Sequence, residues 1–167
     1  MAALTVAPVL VTACGMSGPC GAPFRTATAS GDIIGPGGSL LGTVTLSLVE
    51  SQDPSRSSLG VMTAGSSAET SAQLRGHVVK LRVLGAGARV LFTPAVQQLP
   101  ASTTPGSALM EYITIPVTDT TLLADVRDQF LSGSMAVELT TDETPARVFT
   151  VSTRVTGSTD WIQAICK

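Results

Sequence analysis

The segment GHVVKLRVLGAGARVLFTPA (residues 76–95) contains two apolar runs joined by Gly85-Ala86-Gly87. A dinucleotide-binding fingerprint requires a further glycine three residues after the second, and a helix that begins there with its N-terminus pointing at a phosphate. Residue 90 is a valine, however, and the run that follows is β-branched and aromatic, as strands usually are. The glycines therefore predict a bend or turn between two strands and not a phosphate-binding loop.

Apolar and polar residues also alternate elsewhere in the chain, which indicates strands with one buried face. SLLGTVTLSLVE (39–50) is predicted to form such a strand, with these residues on one face: Leu40, Val44, Leu46 and Leu48. LMEYITIPV (109–117) is predicted to be another strand, which Pro116 ends or places at the edge of a sheet.

Residues 134–157 predict a β-hairpin. In SMAVELTT (134–141) the inward side chains are Met135, Val137 and Leu139. After a turn at DETP, the returning segment ARVFTVSTRVTG places on one face Phe149, Val151 and Val155. With LTVAPVLVTA near the start, the chain offers roughly seven to nine short strands separated by Gly, Pro and Ser clusters, which is typical of a sandwich or barrel.

TDTTLLADVRDQFLSG (118–133) departs from this alternation. The apolar residues that recur at helical spacing are Leu122, Leu123, Val126 and Phe130. Thr118 or Asp119 can cap the N-terminus of a helix, and Gly133 is a natural stop. We therefore predict a short helix whose narrow apolar stripe favours covering an open end of the sandwich over binding a partner.

The chain has few charged side chains. They make up 13% of its residues, and hydrophobic residues make up 44%, whereas about a quarter of an average domain is charged. A monomer normally stays in solution through surface charge, so much of this surface is either Ser, Thr and Gly or covered by other subunits. The formal net charge is −2, and the basic residues are scattered along the chain. The sequence therefore lacks the basic patch that is typical of proteins that bind naked nucleic acid.

Residues suited to catalysis are sparse. The single histidine, His77, has no carboxylate close in sequence to orient it, so a surface or packing role is favoured over that of a general base. The nucleophile motif Gly-x-Ser-x-Gly does not occur, and Asp142-Glu143 falls in the hairpin turn, where solvated charge is the ordinary explanation. We therefore predict that the protein is not an enzyme and has neither catalytic residues nor a cofactor.

The cysteines are Cys14, Cys20 and Cys166, an odd number without a Cys-x-x-Cys pair. Structural zinc needs four ligands placed close together, so no metal site is predicted. Free thiols in a reducing compartment are favoured, and a Cys14–Cys20 disulfide is the alternative.

The second half of the chain has a recognisable order: strand pair, long polar loop, strand, short helix and closing hairpin. The stretches are HVVKLRVLGAGARVLFTPAV, QQLPASTTPGSALM, EYITIPV, TDTTLLADVRDQFLSG, SMAVELTT and VFTVSTRVTG. This order resembles the coat proteins of small icosahedral positive-strand RNA viruses, tymovirus-like and more distantly bromovirus-like. The resemblance implies an all-β, eight-stranded antiparallel jelly-roll sandwich with one short helix. Residues 25–167 would form its shell domain, and residues 1–24 an arm or strand that contacts neighbouring subunits.

The function that the resemblance implies is self-assembly into an icosahedral shell that encloses RNA, in a virion assembled in the host cytoplasm. Bromovirus-like coats begin with an Arg/Lys-rich arm that this sequence lacks, so contact with genomic RNA is expected to be weak and non-specific. The candidates to face that RNA are Lys80, Arg82 and Arg89, with ordinary exposed charges as the alternative. The expected partner is the chain itself, and no membrane contact is expected.

Two other classes stay open. A bacteriophage decoration or tail-associated protein would keep the β-structure and the assembly, but would form a trimer or ring. A secreted β-sandwich binding module needs an aromatic platform, and four Phe, one Tyr and one Trp supply a poor one.

Overall fold

The described part of the chain comprises residues 22–67, 70, 78–96 and 111–162 in the computed structural model. Within it lie two antiparallel sheets, a 12-residue α-helix, and short 3-10 helices at Pro36–Gly38, Pro54–Arg56 and Ala86–Ala88. The strands are β1 (Phe24–Ile34), β2 (Leu40–Ser51), β3 (Ser58–Gly65), β4 (Val78–Leu84), β5 (Val90–Phe92), β6 (Glu111–Pro116), β7 (Ala136–Thr141), β8 (Val148–Ser152) and β9 (Arg154–Ser158). Sheet A has the order β6-β3-β2-β1-β9, and sheet B has the order β5-β4-β7-β8. A helix, α1 (Thr120–Leu131), connects β6 to β7. The predicted all-β sandwich with a short helix is confirmed.

The core lies between the sheets and beneath α1. Sheet A contributes Ala27, Ala29, Ile33, Val44, Leu46, Leu48, Leu59, Val61 and Ile115. Sheet B contributes Val78, Leu81, Val83, Val137, Leu139, Phe149 and Val151. Met135, just before β7, is buried together with Val137 and Leu139, as the alternation of residues 134–141 predicts.

An eight-stranded jelly roll is not confirmed. The described residues contain nine strands, and β1, β2 and β3 follow one another as neighbours in sheet A. The additional strand arises at Thr153, whose N–H and hydroxyl donate to the Met135 carbonyl at 3.0 and 3.1 Å while the chain passes from sheet B into sheet A. Val155 therefore lies in β9 and is 38% exposed, so its predicted place on one face with Phe149 and Val151 is wrong.

The glycine segment at 85–87 joins β4 to β5, as predicted. The Gly85 N–H donates to the Arg89 carbonyl at 2.8 Å, and Gly87 and Ala88 have φ angles of +66° and +60°. Glycine adopts the left-handed conformation without strain, but alanine does not, because its β-carbon is crowded there. Ala88 is therefore the strained residue of this turn.

The turn between β1 and β2 has the same form. The Gly35 N–H donates to the Ser39 carbonyl at 2.8 Å, and Gly37 and Gly38 have φ angles of +77° and +83°. Here glycine occupies both left-handed positions, so the backbone adopts the shape without strain.

Leu40 is 49% exposed, although the alternation of its strand predicts burial. The β1–β2 register shifts between Ile33, which lies opposite Gly42, and Ile34, which lies opposite Leu40. Leu41 is the extra residue of this bulge, and it packs against the core in place of Leu40. The predicted inward position of Leu40 is therefore wrong.

α1 begins and ends close to where the sequence predicts. The Asp119 carboxylate accepts a hydrogen bond from the Leu122 N–H at 2.7 Å, and Gly133 follows the helix with φ +69°. The buried face carries Leu123, Val126, Gln129 and Phe130. The Gln129 amide oxygen accepts from the Ala86 N–H at 2.8 Å, which fastens the helix to the β4–β5 turn.

Some predictions concern positions outside the described residues. These positions are His77, Cys14, Cys20, Cys166 and residues 1–21 of the predicted arm. Among the helices of the described part, none is long and apolar enough to cross a membrane.

Candidate functional site

Two of the predicted RNA-facing residues share the outer face of sheet B. Lys80 and Arg82 project outward from β4, because their neighbours Leu81 and Val83 are buried in the core. Lys80 is exposed and lies opposite Thr140 of β7.

Arg82 and Arg89 each have a carboxylate partner. The Nε of Arg82 donates to Glu138, its cross-strand neighbour, at 2.7 Å. Arg89 pairs with Asp125 of α1, and hydrogen bonds from Arg89 and then from Gln129 lower the pKa of Asp125 below its ordinary 3.8. Two of the three predicted phosphate contacts are thus already neutralised within the chain.

A cleft of about 200 Å³ lies where the beginning of β1, the end of β2 and the segment after β9 meet α1. Its lining residues are Arg25, Thr26, Ala27, Leu48, Glu50, Arg127, Leu131, Ser158, Thr159 and Asp160. We call it the Trp161 cleft, because Trp161 packs on its Arg25.

Glu50 is the centre of this site. The β1–β2 register places Arg25 directly opposite it, and the Nε of Arg25 donates to the Glu50 carboxylate at 2.7 Å. Arg127 reaches the other carboxylate oxygen from α1 at 3.3 Å. The Glu50 side chain is only 11% exposed, and a buried carboxylate is stable there because two guanidinium groups share it.

Trp161 packs on the outer side of Arg25, with the guanidinium carbon 4.9 Å from the ring centroid. The segment that carries it is tied to β1. The Thr159 N–H donates to the Thr26 carbonyl at 2.9 Å, and Phe24 and Ile162 exchange a pair of backbone hydrogen bonds. Trp161 is nevertheless 43% exposed, so a fixed aromatic ring faces solvent beside the cleft.

The charges that line the cleft balance. Arg25 and Arg127 are offset by Glu50 and Asp160. A hydrogen bond to Asp128, outside the cleft, is the main cause that raises the pKa of Arg127, so this guanidinium stays charged. A neutral lining disfavours a multiply charged ligand such as a run of phosphates.

The cleft is nevertheless rich in hydrogen-bond donors. Each arginine uses its Nε and one terminal nitrogen on carboxylates. The second terminal nitrogen of Arg25 and of Arg127 has no partner among the described residues. The Thr159 hydroxyl already donates to the Thr26 carbonyl at 3.2 Å, but the Ser158 hydroxyl and the two arginine nitrogens can donate to uncharged acceptors such as backbone carbonyls.

No short motif in the sequence marks Arg25, Glu50 or Arg127 as residues of a site. A hairpin centred on the 35–38 turn places Arg25 opposite Glu50, so the pair could have been found by folding β1 onto β2 about those glycines. Arg127 lies 77 residues from Glu50, and no local signal joins the two.

Comparison of the chain with protein-family models, with curated proteins and with solved structures gives no match.

Proposed function

We propose that this protein is a structural subunit that assembles with copies of itself into a closed coat, as viral capsid proteins do around RNA. The observation that carries the proposal is the number of large apolar side chains on its surface. Those between 38% and 57% exposed are Ile34, Leu40, Val79, Val90, Leu131, Val148, Val155, Trp161 and Ile162. With only 13% charged residues to keep the chain dispersed, contact with other copies is the physical use of such a surface.

The sheet edges support a closed assembly over a fibre. β5 has three residues, β6 ends in Pro116, and the β1–β9 register contains a bulge at Thr156. At the edge formed by β8, the backbone of Gly31 approaches the Ser152 carbonyl. Short strands, prolines, bulges and covered edges all hinder the addition of further strands. Association therefore proceeds through side-chain surfaces.

The jelly-roll connectivity is not required by this proposal, which needs only a sandwich with several separate contact surfaces. RNA inside the coat would be held weakly and without sequence preference, with Lys80 as the contact least neutralised within the chain. The site of action would be the virion, and no catalytic step is part of the function.

The exposed Trp161 beside a cleft favours a binding module as the second candidate. A single exposed ring and a small, donor-rich cleft suit an uncharged ligand with acceptor oxygens, such as a sugar.

Light scattering after size-exclusion chromatography, with negative-stain microscopy, tests these functions. The coat proposal predicts uniform closed particles that form as the protein concentration rises. A trimer or open ring would indicate the decoration or tail class instead. A monomer that persists at high concentration, with and without added RNA, would refute the coat proposal and favour the binding module.

A further inference from the structure

The turn between β1 and β2 projects from the body of the protein. Cβ atoms built on Gly37 and Gly38 would meet no atom within 4 Å. On either side of the turn Ile34 and Leu40 lie opposite each other and are 51% and 49% exposed. Residues 34–40, IGPGGSL, carry no charge, and we call them the β1–β2 tip.

The β1–β2 tip also offers unused hydrogen-bond acceptors. The carbonyls of Gly35 and Ser39 accept bonds within the turn, from Gly38 and Gly35. Those of Pro36, Gly37 and Gly38 accept none from the described residues.

The Trp161 cleft complements these properties. Its lining is neutral overall, it has one terminal guanidinium nitrogen each on Arg25 and Arg127 without an acceptor among the described residues, and it is bordered by the half-exposed side chains of Leu131 and Trp161. The β1–β2 tip is uncharged and carries apolar side chains on both sides of its free carbonyls. If it entered the cleft, it would bury Leu131 and Trp161 and accept hydrogen bonds from the arginine nitrogens, without burying an unpaired charge.

The β1–β2 tip cannot reach the cleft of its own chain. Ala27 lines the cleft, and Ile34 begins the tip, so along the extended β1 strand the two are separated by roughly 20 Å at about 3.3 Å per residue. A contact between them joins two copies head to tail. Such a heterologous contact leaves one tip and one cleft free on each growing assembly. It gives a closed ring where the rotation between successive copies closes, and an open filament where it does not.

We infer that the β1–β2 tip of one subunit docks into the Trp161 cleft of the next. The inference rests on the proposed coat function and names one of the contacts that would build the coat.

Trp161 is the only tryptophan of the chain, so its fluorescence reports on the cleft alone. The experiment mixes two variants. Leu40→Glu keeps the tryptophan but places a charge on the tip, and Trp161→Phe has an intact tip but does not emit. We expect the emission of Leu40→Glu to shift to shorter wavelength and saturate as Trp161→Phe is added. The double variant Leu40→Glu/Trp161→Phe, added instead, should leave it unchanged.

The same variants separate this contact from the coat function. Leu40→Glu and Leu131→Glu should each lower the assembled fraction at least tenfold, whereas Thr93→Glu, at an exposed polar position just after β5, should assemble like the wild type. Circular dichroism checks that each variant folds, and Leu40→Ser provides a milder change. Wild-type-like particles from both Leu40→Glu and Leu131→Glu, with no emission shift on mixing, would overturn the inference and leave the coat function standing. A wild type that never assembles would refute the coat function itself.

Discussion

A β-carbon on Gly31 would overlap the carbonyl oxygen of Ser152. This close approach is where β1 of sheet A meets the end of β8 in sheet B, and it holds the corner of the sandwich together. Because the overlap is with backbone and cannot be relieved by a side-chain rotation, Gly31→Ala should destabilise the fold by about 3 kcal/mol.

Urea denaturation followed by circular dichroism measures this change. Ser30→Ala, at the preceding position on the outer face, is the matched control and should change the free energy of unfolding by less than about 0.5 kcal/mol. Equal stabilities for the two variants would mean that the sheets do not approach each other at Gly31.

The β4–β5 turn predicts a substitution that stabilises the protein. Ala88 has φ +60°, where an L-residue other than glycine costs about 1 kcal/mol or more, and glycine stands at the matching position, Gly38, of the β1–β2 turn. Ala88→Gly should therefore raise the free energy of unfolding by about 0.5 kcal/mol after the larger entropy of unfolded glycine is subtracted. Gly87→Ala, which forces alanine to φ +66°, should lower it by about 1 kcal/mol.

Chemical denaturation of both variants and the wild type gives the order of stabilities. The expected order is Ala88→Gly, wild type, Gly87→Ala. The reverse order would show that the turn does not hold these residues in the left-handed conformation.

Local patterns in the sequence predicted those parts of the fold that local forces determine. The β7 alternation, the cap at Asp119 and the turn at Gly87 each depend on residues close together in the chain, and each is confirmed. The bulge that exposes Leu40 and the crossing at Thr153 depend instead on how two sheets fit around one core. Alternation fixes which residues share a face, but it does not fix where a strand shifts register or changes sheet.

Local patterns could not predict the candidate cleft, because its residues are far apart in the sequence. Arg25 and Glu50 are 25 residues apart, and Arg127 lies a further 77 residues along the chain. Each is an ordinary charged residue in its own segment, and only the packing of α1 against the β1–β2 hairpin brings them together. The sequence predicted an RNA-facing group near the glycine bend, formed by Lys80, Arg82 and Arg89. In the fold, Arg82 and Arg89 instead pair with carboxylates.

The link between α1 and the β4–β5 turn predicts a dependence on pH. Hydrogen bonds from Arg89 and Gln129 lower the pKa of Asp125 in the folded protein below the 3.8 expected in the unfolded chain. The stabilisation that this carboxylate provides is therefore complete above pH 3.8 and is lost as the pH falls through the lower, folded value. Asp125→Asn should be less stable than the wild type at pH 7, and the difference should shrink below pH 3.8.

Unfolding free energies from urea titrations at several pH values test this dependence. Arg89→Gln should lower stability in the same direction, and the double variant Asp125→Asn/Arg89→Gln should lose less than the sum of the single changes. A difference between wild type and Asp125→Asn that stays constant from pH 7 to pH 3 would contradict it.

Because Arg25 and Arg127 both bind the Glu50 carboxylate, substitution of Glu50 is the most direct test of how the cleft is organised. Glu50→Gln keeps the shape of the side chain but removes the charge that holds Arg25 and Arg127 together, so we expect a loss of about 2 kcal/mol in unfolding free energy. Because Arg25 also supports the Trp161 ring, the tryptophan emission of the folded variant should change as well. Asp128→Asn is the control: its carboxylate also pairs with Arg127, but its side chain is 72% exposed, so it should cost less than about 1 kcal/mol and leave the emission unchanged. If Glu50→Gln were as stable as Asp128→Asn and emitted like the wild type, Glu50 would not be the residue that organises the cleft.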